Sequence, residues 1–448
     1  MGELILRTLK YLIYGFGILL GLFGLSWLIF MPNSAERGAW RLQTGGAILH
    51  LTPFTVTLYT ESHHSCLSNI SFPAHLKIIE LAEGVSIRVA DGQLHFSSDG
   101  ALLDLRLDKL DTLPARCVDA VPSTSTAKDV FEAVWTAMDE HYAFFDLHGV
   151  DWAARRELVP DPDTEMTDDN VTAMLLSLTE GIDDGHVHFG SAELGYDSPS
   201  NDPEWLPEDG ALSRETLNAI AIANAGVSLT KTATAPVYYG LRDDGTGYIQ
   251  IREMKVDVPF GGNSTDEMAT AFGEVLAQLA DAKSLVIDIR YNPGGSDTVS
   301  FGVAGHFIAA PMPVFTKTTR FGYTQTVPFT AVLQPKGDTP VSVPVVLVTS
   351  RLTGSAAEIL TLAMREIDQV VVLGEPTGGG LSDVMEFTLP NGWSLGLSNQ
   401  TYLNMNGELF ELVGIPPDVV VEYDTQQYIA GRDPVLEAAF TQAQALAD

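Results

Sequence analysis

The chain has 448 residues, 45% apolar and 19% charged, so it can bury a large core and does not have the composition of a disordered polymer. Asp and Glu outnumber Lys and Arg 58 to 25, a formal charge of −33. Such a field repels phosphate backbones and anionic headgroups, so no nucleic acid partner is expected.

Residues 11–30, YLIYGFGILLGLFGLSWLIF, form one apolar block behind Arg7 and Lys10, with no further charge before Glu36. A helix needs about 20 such residues to cross a bilayer, whereas a secretory apolar region is usually about 7–15. Positive charge on the N-terminal side predicts a cytoplasmic N-terminus and export of everything after Glu36. Residues 1–35 are therefore expected to be a single transmembrane anchor, with the rest on the periplasmic or extracellular side. Secretion after signal cleavage is the alternative, although Asn33-Ser34-Ala35 matches a cleavage site poorly. The two cysteines, Cys66 and Cys117, both follow this segment. They are either one disulfide, whose loop of about 50 residues is worth roughly 3–4 kcal/mol, or two buried thiols.

Short alternating runs such as FTVTLYT, VSIRVA and QLHFSS, broken by turn residues, predict a small β-rich domain over 45–120. His50, His63, His64, His75 and His95 lie within it without regular ligand spacing, and no metal site is expected. Residues 126–190 read as a helical cap subdomain, with Phe131, Val134, Trp135, Met138 and Tyr142 on one helical face and Val171, Met174, Leu175 and Leu178 on another. The second helix runs into Asp184-Gly185-His186, a turn that presents a histidine able to act as a general base. His188 offers only a weak H-x-H alternative. Residues 191–235, rich in Pro, Asp, Asn and Ser, are expected to be an irregular excursion.

An α/β core is expected over 236–448. The buried strand LVIDIR enters Tyr291-Asn292-Pro293-Gly294-Gly295, whose glycines expose backbone N–H groups to an approaching anion or simply reverse the chain. VVLVTSRLTGSAAE then carries a strand into a helix opened by Ser355. A serine there is either an N-cap or a nucleophile beside free N–H groups and the positive end of the helix dipole. Local pattern leaves both open.

The ordered landmarks D-G-H-V, D-I-R-Y-N-P-G-G, T-G-S-A-A-E, G-E-P-T-G-G-G and G-I-P-P-D resemble those of the C-terminal-processing, or tail-specific, S41 family of serine peptidases. The resemblance covers Ala127 to Leu446, about 70% of the chain. It implies a ClpP/crotonase-like α/β core and makes Ser355 the nucleophile. In the processing branch a lysine in the loop after the serine helix is the base; here that loop reads Gly378-Gly379-Gly380. The tricorn-like branch, similar also to interphotoreceptor retinoid-binding protein, takes its base from a D-G-H turn, a position that His186 matches. Glu411 matches that branch's orienting glutamate, and the N–H groups of Ala356 and of Gly294 or Gly295 are the expected oxyanion donors. Glu358 is expected to support the helix start. The chain leaves no room for an inserted PDZ module.

The reading is a serine endopeptidase of flexible polypeptides using a Ser-His(-Glu) mechanism, with no cofactor and no metal. The main alternative is a non-catalytic binding protein of the same fold for a hydrophobic ligand or peptide. An α/β-hydrolase esterase is disfavoured because Ser355 is followed by Ala356-Ala357 and the G-x-S-x-G elbow is absent.

Overall fold

The apolar runs VYYGL, TGYIQI, SLVID, VVLVT and VVVLG become adjacent strands of one sheet in the computed structural model of the chain, which describes residues 31–74, 85–98, 105–118, 125–191, 195–197, 203–207, 210–258, 262–322 and 324–448. The fold is mixed α/β. Across this seven-stranded sheet the order is Thr230–Lys231, Val237–Leu241, Thr246–Ile251, Ser284–Asp288, Val345–Thr349, Val370–Gly374 and Val419–Val420. Pairing is parallel from Thr246–Ile251 onward and antiparallel before it.

Strands covered on both faces read as continuous apolar runs, and Val345–Thr349 is buried throughout. Val345 and Leu347 enter the core beneath the helices Ser264–Gln278, Asp297–Ala304 and Ala356–Met364. Val346 and Val348 enter the opposite core with the C-terminal helix Pro434–Ala447. Within the stretch expected to be irregular, Arg214–Asn224 is a helix. Ser213 caps it by accepting from Thr216 N–H, and Leu217 and Ala221, one turn apart, bury themselves against the C-terminal helix layer.

Helices Ala127–His141 and Asp168–Thr179 share a core with Phe189, Phe387, Leu395 and Leu397. Those four residues belong to a small sheet ordered Gly195–Asp197, His188–Gly190, Ser394–Ser398, Val384–Thr388. Pairing of His188–Gly190 with Ser394–Ser398 brings the D-G-H turn to the C-terminal half of the chain. A separate antiparallel group joins Met312–Phe321 to Phe329–Leu333 and Gln400–Asn404.

The N-terminal strands form an eight-stranded sheet from Gly38–Leu42 to Cys117–Val118. Cys66 and Cys117 are register partners on its parallel edge and are joined as a disulfide. The sheet docks on the core through Thr388, whose N–H donates to Thr60 Oγ1 at 3.3 Å, and through Glu140, which accepts from His63 N–H at 3.0 Å. No described helix is long and apolar enough to cross a membrane. The apolar block 11–30, on which the membrane expectation rests, lies outside the described residues.

Candidate active site

Ser355 follows a turn stitched to the neighbouring strand end: Thr353 Oγ1 donates to Ile289 O at 3.0 Å and Gly354 N–H to Asn292 O at 3.0 Å. Its own backbone is left-handed, at φ 51° and ψ −126°, a conformation that costs a non-glycine residue about 1–3 kcal/mol. The surroundings hold it there. Ser355 N–H reaches both Gly380 O at 3.2 Å and Glu358 Oε2 at 3.1 Å. The Glu358 carboxylate also accepts from Thr377 Oγ1, Gly379 N–H and Gly380 N–H at 2.6, 2.7 and 2.8 Å. Burial raises its pKa and these donors oppose the rise. Glu358 thus ties the serine helix to the Thr377–Gly380 loop. Every residue of that helix is buried, whereas Ser355 itself is half-buried.

The Pro-Gly-Gly turn lies against this junction. A Cβ on Gly294 would stand 2.6 Å from Ser355 Cβ and 3.0 Å from Ala356 N, and φ is 110°, so only glycine fits. The Gly294 N–H is already given to Asn292 Oδ1 at 2.8 Å. By contrast, the N–H groups of Gly295 and Ala356 have no acceptor among the described residues. Between the two glycines considered, Gly295 is therefore the one with a donor to spare. Asn292 went unassigned in the sequence, although an Asn two residues ahead of a glycine N–H is an ordinary turn-forming pattern.

His186 is fixed through its backbone. Asp184 Oδ1 accepts from His186 N–H at 2.9 Å and from Ser398 Oγ at 3.2 Å, while Oδ2 accepts from Tyr142 Oη at 3.0 Å. The ring rests on Gly380: a Cβ there would lie 3.7 Å from His186 Cε1 and 4.0 Å from Nδ1. Burial lowers the imidazole pKa and His188 adds to this, with Asp184 and Asp383 pulling the other way. The neutral ring is the form that can accept a proton.

Glu411 is buried beside the same loop and accepts from Leu381 N–H at 3.0 Å. Burial, followed by the charges of Asp184 and Glu358, raises its pKa well above the carboxylate range. Its Oε1 and His186 Nδ1 are both buried without a hydrogen-bond partner among the described residues. No hydrogen bond joins Glu411 to His186, or His186 to the Ser355 hydroxyl, in this structure. The Ser355 backbone N–H and the His186 ring thus both touch Gly380, Glu411 accepts from the adjoining Leu381, and the two free N–H groups flank the serine. His188 turns away to Glu386, with Nε2 to Oε1 at 2.7 Å.

Residues 245–421 match peptidase family S41 and residues 124–158 match the tricorn protease C1 domain. The carboxyl-terminal-processing protease of Picosynechococcus sp. is 28% identical over 218 residues, which cover 48% of this chain and 48% of that protein. The carboxy-terminal processing protease CtpA of Bacillus subtilis is 26% identical over 209 residues, covering 46% and 42%. The matches thus span about half the length of these relatives. A provisionally assigned peptidase from Parabacteroides merdae superposes with a TM-score of 0.59 at 27% identity, over 71% of this chain and 97% of its own. The core of the chain, residues 245–421, belongs to peptidase family S41, with a segment of the tricorn C1 type ahead of it.

Proposed function

We propose that the chain is a serine endopeptidase with Ser355 as nucleophile, His186 as general base and Glu411 as the residue that orients the imidazole. The observation that carries this is that the Ser355 backbone N–H and the His186 ring both touch Gly380, where the loop has no side chain. In the reaction Ser355 Oγ attacks the peptide carbonyl and its proton passes to His186 Nε2. The C–N bond then breaks, and the amine leaves with that proton. Water, deprotonated by the same imidazole, releases the acyl group and restores Ser355. The N–H groups of Ala356 and Gly295 stabilise the oxyanion, each donor lowering the barrier by about 2.7–4 kcal/mol. Pairing of His186 Nδ1–H with Glu411 Oε1 would satisfy both orphaned atoms and stabilise the imidazolium.

The substrate in this reading is a flexible polypeptide, because an extended segment must reach a half-buried serine. In this reading the core has the ClpP/crotonase-like arrangement and carries the helical cap, packed on strands of the C-terminal half, and the N-terminal β-rich domain. Residues 11–30 anchor the chain in a membrane with the catalytic part exported; the charge pattern at Arg7 and Lys10 and the Cys66–Cys117 disulfide support an oxidising compartment. A fluorophosphonate probe combined with a peptide-turnover assay tests the catalytic claim. Labelling and turnover by the wild type, both lost in Ser355→Ala, support it; a folded wild type inert to the probe refutes it.

A further inference from the structure

Four polar side chains from separate segments meet beside the site. Tyr402 Oη lies 2.9 Å from Asp297 Oδ2 and 2.9 Å from Asp383 Oδ1. Lys317 Nζ donates to Tyr402 Oη at 3.1 Å and to Asp383 Oδ2 at 3.0 Å. Lys317 and Tyr402 are register partners on adjacent strands, and both are buried. The other two sit at the ends of the loops that build the site. Asp297 opens helix Asp297–Ala304, two residues after Gly295, and Asp383 closes the loop three residues after Gly380.

Hydrogen-bond counting fixes the protonation of this cluster. A phenol has one proton to donate and two lone pairs. Lys317 fills one lone pair of Tyr402, and the phenolic proton satisfies one carboxylate. The second carboxylate, at the same 2.9 Å, must bring its own proton. Asp383 is ion-paired with Lys317, so the acid is Asp297.

We propose that Asp297, Tyr402, Asp383 and Lys317 are positioning residues that, linked through the Asp297 carboxyl proton and the Tyr402 hydroxyl proton, hold the oxyanion turn against the loop carrying Gly380. This rests on the peptidase reading above. The strand pair is the fixed post, and the two loops are tied to it through one hydroxyl. Burial of the Asp297 carboxyl, then the Asp383 charge, push Asp297 up to about 7, against the pull of Lys317 and the Tyr402 hydroxyl. Those three are the titratable groups that act on it among the described residues. Helix Ser264–Gln278 directs Asp266 to Lys336 instead, and helix Ala356–Met364 directs Glu358 to the Thr377–Gly380 loop.

Loss of the Asp297 proton leaves one hydroxyl proton for two carboxylates and separates the loops. The consequence is an alkaline limb near pH 7 in the reactivity of Ser355. The test is the rate constant of fluorophosphonate labelling between pH 5.5 and 9 for wild type, Asp297→Asn and Tyr402→Phe, the last retaining the buried ring. Wild-type labelling falls severalfold between pH 6.5 and 8.5. Asp297→Asn, a permanent stand-in for the protonated acid, stays flat over that range. Tyr402→Phe is about tenfold slower or worse at its best pH, with its thermal midpoint recorded alongside. A purely structural role moves the midpoint and leaves the pH profile unchanged. An Asp297→Asn profile that keeps the wild-type alkaline fall, or a Tyr402→Phe rate and profile equal to wild type, overturns the proposal. Wild-type protein unlabelled at every pH overturns the peptidase reading itself, and the positioning role with it.

Discussion

The imidazole of His186 rests against Gly380, 3.7 Å from the point where a side chain on that glycine would begin. The same point lies 3.9 Å from Glu358 Oε2, so a methyl group fits at ordinary van der Waals distance and a longer group does not. Gly380→Ala is therefore expected to change kcat/KM by less than about threefold, and Gly380→Leu to lower it by about 100-fold or more through displacement of the ring. Steady-state kinetics of the two variants, with far-ultraviolet circular dichroism as a folding control, read the difference.

Gly294 makes the opposite prediction about alanine. A Cβ there falls 2.6 Å from Ser355 Cβ and 2.8 Å from Gly354 O, at a φ of 110°. The turn must move away from Ser355, carrying Gly295 N–H with it. Gly294→Ala should then lose about 10²–10³-fold in kcat, the usual cost of one oxyanion donor, with a smaller change in KM.

In the proposed mechanism the acid limb of the reaction belongs to His186. Burial holds the imidazole below its ordinary value of 6.5, so the ring stays neutral, and competent as a base, to a pH below 6.5. The Asp383 charge works against that shift. Asp383→Asn should move the acid limb of kcat/KM further down, and an unchanged or raised limb contradicts the assigned base.

His141 supplies a stability prediction away from the chemistry. It is buried between Phe321 and Phe387, with ring centroids at 6.1 and 5.4 Å, and burial lowers its pKa from 6.5 to about 4. A depressed histidine keeps its full contribution above 6.5 and loses it as pH falls toward the folded value. The loss is at most about 3 kcal/mol. Thermal midpoints of wild type and His141→Phe, compared at pH 7 and pH 4.5, should show a smaller acid-induced drop in the variant.

Much of the candidate site could be proposed from the sequence because its parts are local. The VVLVT strand, the turn into Ser355, the double glycine and the D-G-H turn each declare themselves within about ten residues. What remained hidden depends on contacts between distant segments. Nothing near Gly294 says that Asn292 consumes its N–H, and nothing near Asp383 announces Lys317, 66 positions away, or Asp297. Helix Arg214–Asn224 was obscured differently. Its Ser213 cap and its Leu217 and Ala221 spacing were present, but the Pro- and Asp-rich residues before them dominate the composition of that stretch. The Glu411 assignment came from the order of landmarks. The structure adds that its Oε1 and His186 Nδ1 are both buried and have no hydrogen-bond partner among the described residues.

The central claim is that Ser355 is a nucleophile activated by His186, and the most direct measurement is mass-spectrometric mapping of the fluorophosphonate adduct on wild type, Ser355→Ala and His186→Ala. The account predicts one adduct, on Ser355, absent from Ser355→Ala and formed about 10³-fold more slowly, or not at all, in folded His186→Ala. An adduct on another residue, or full-rate labelling of Ser355 in His186→Ala, contradicts it.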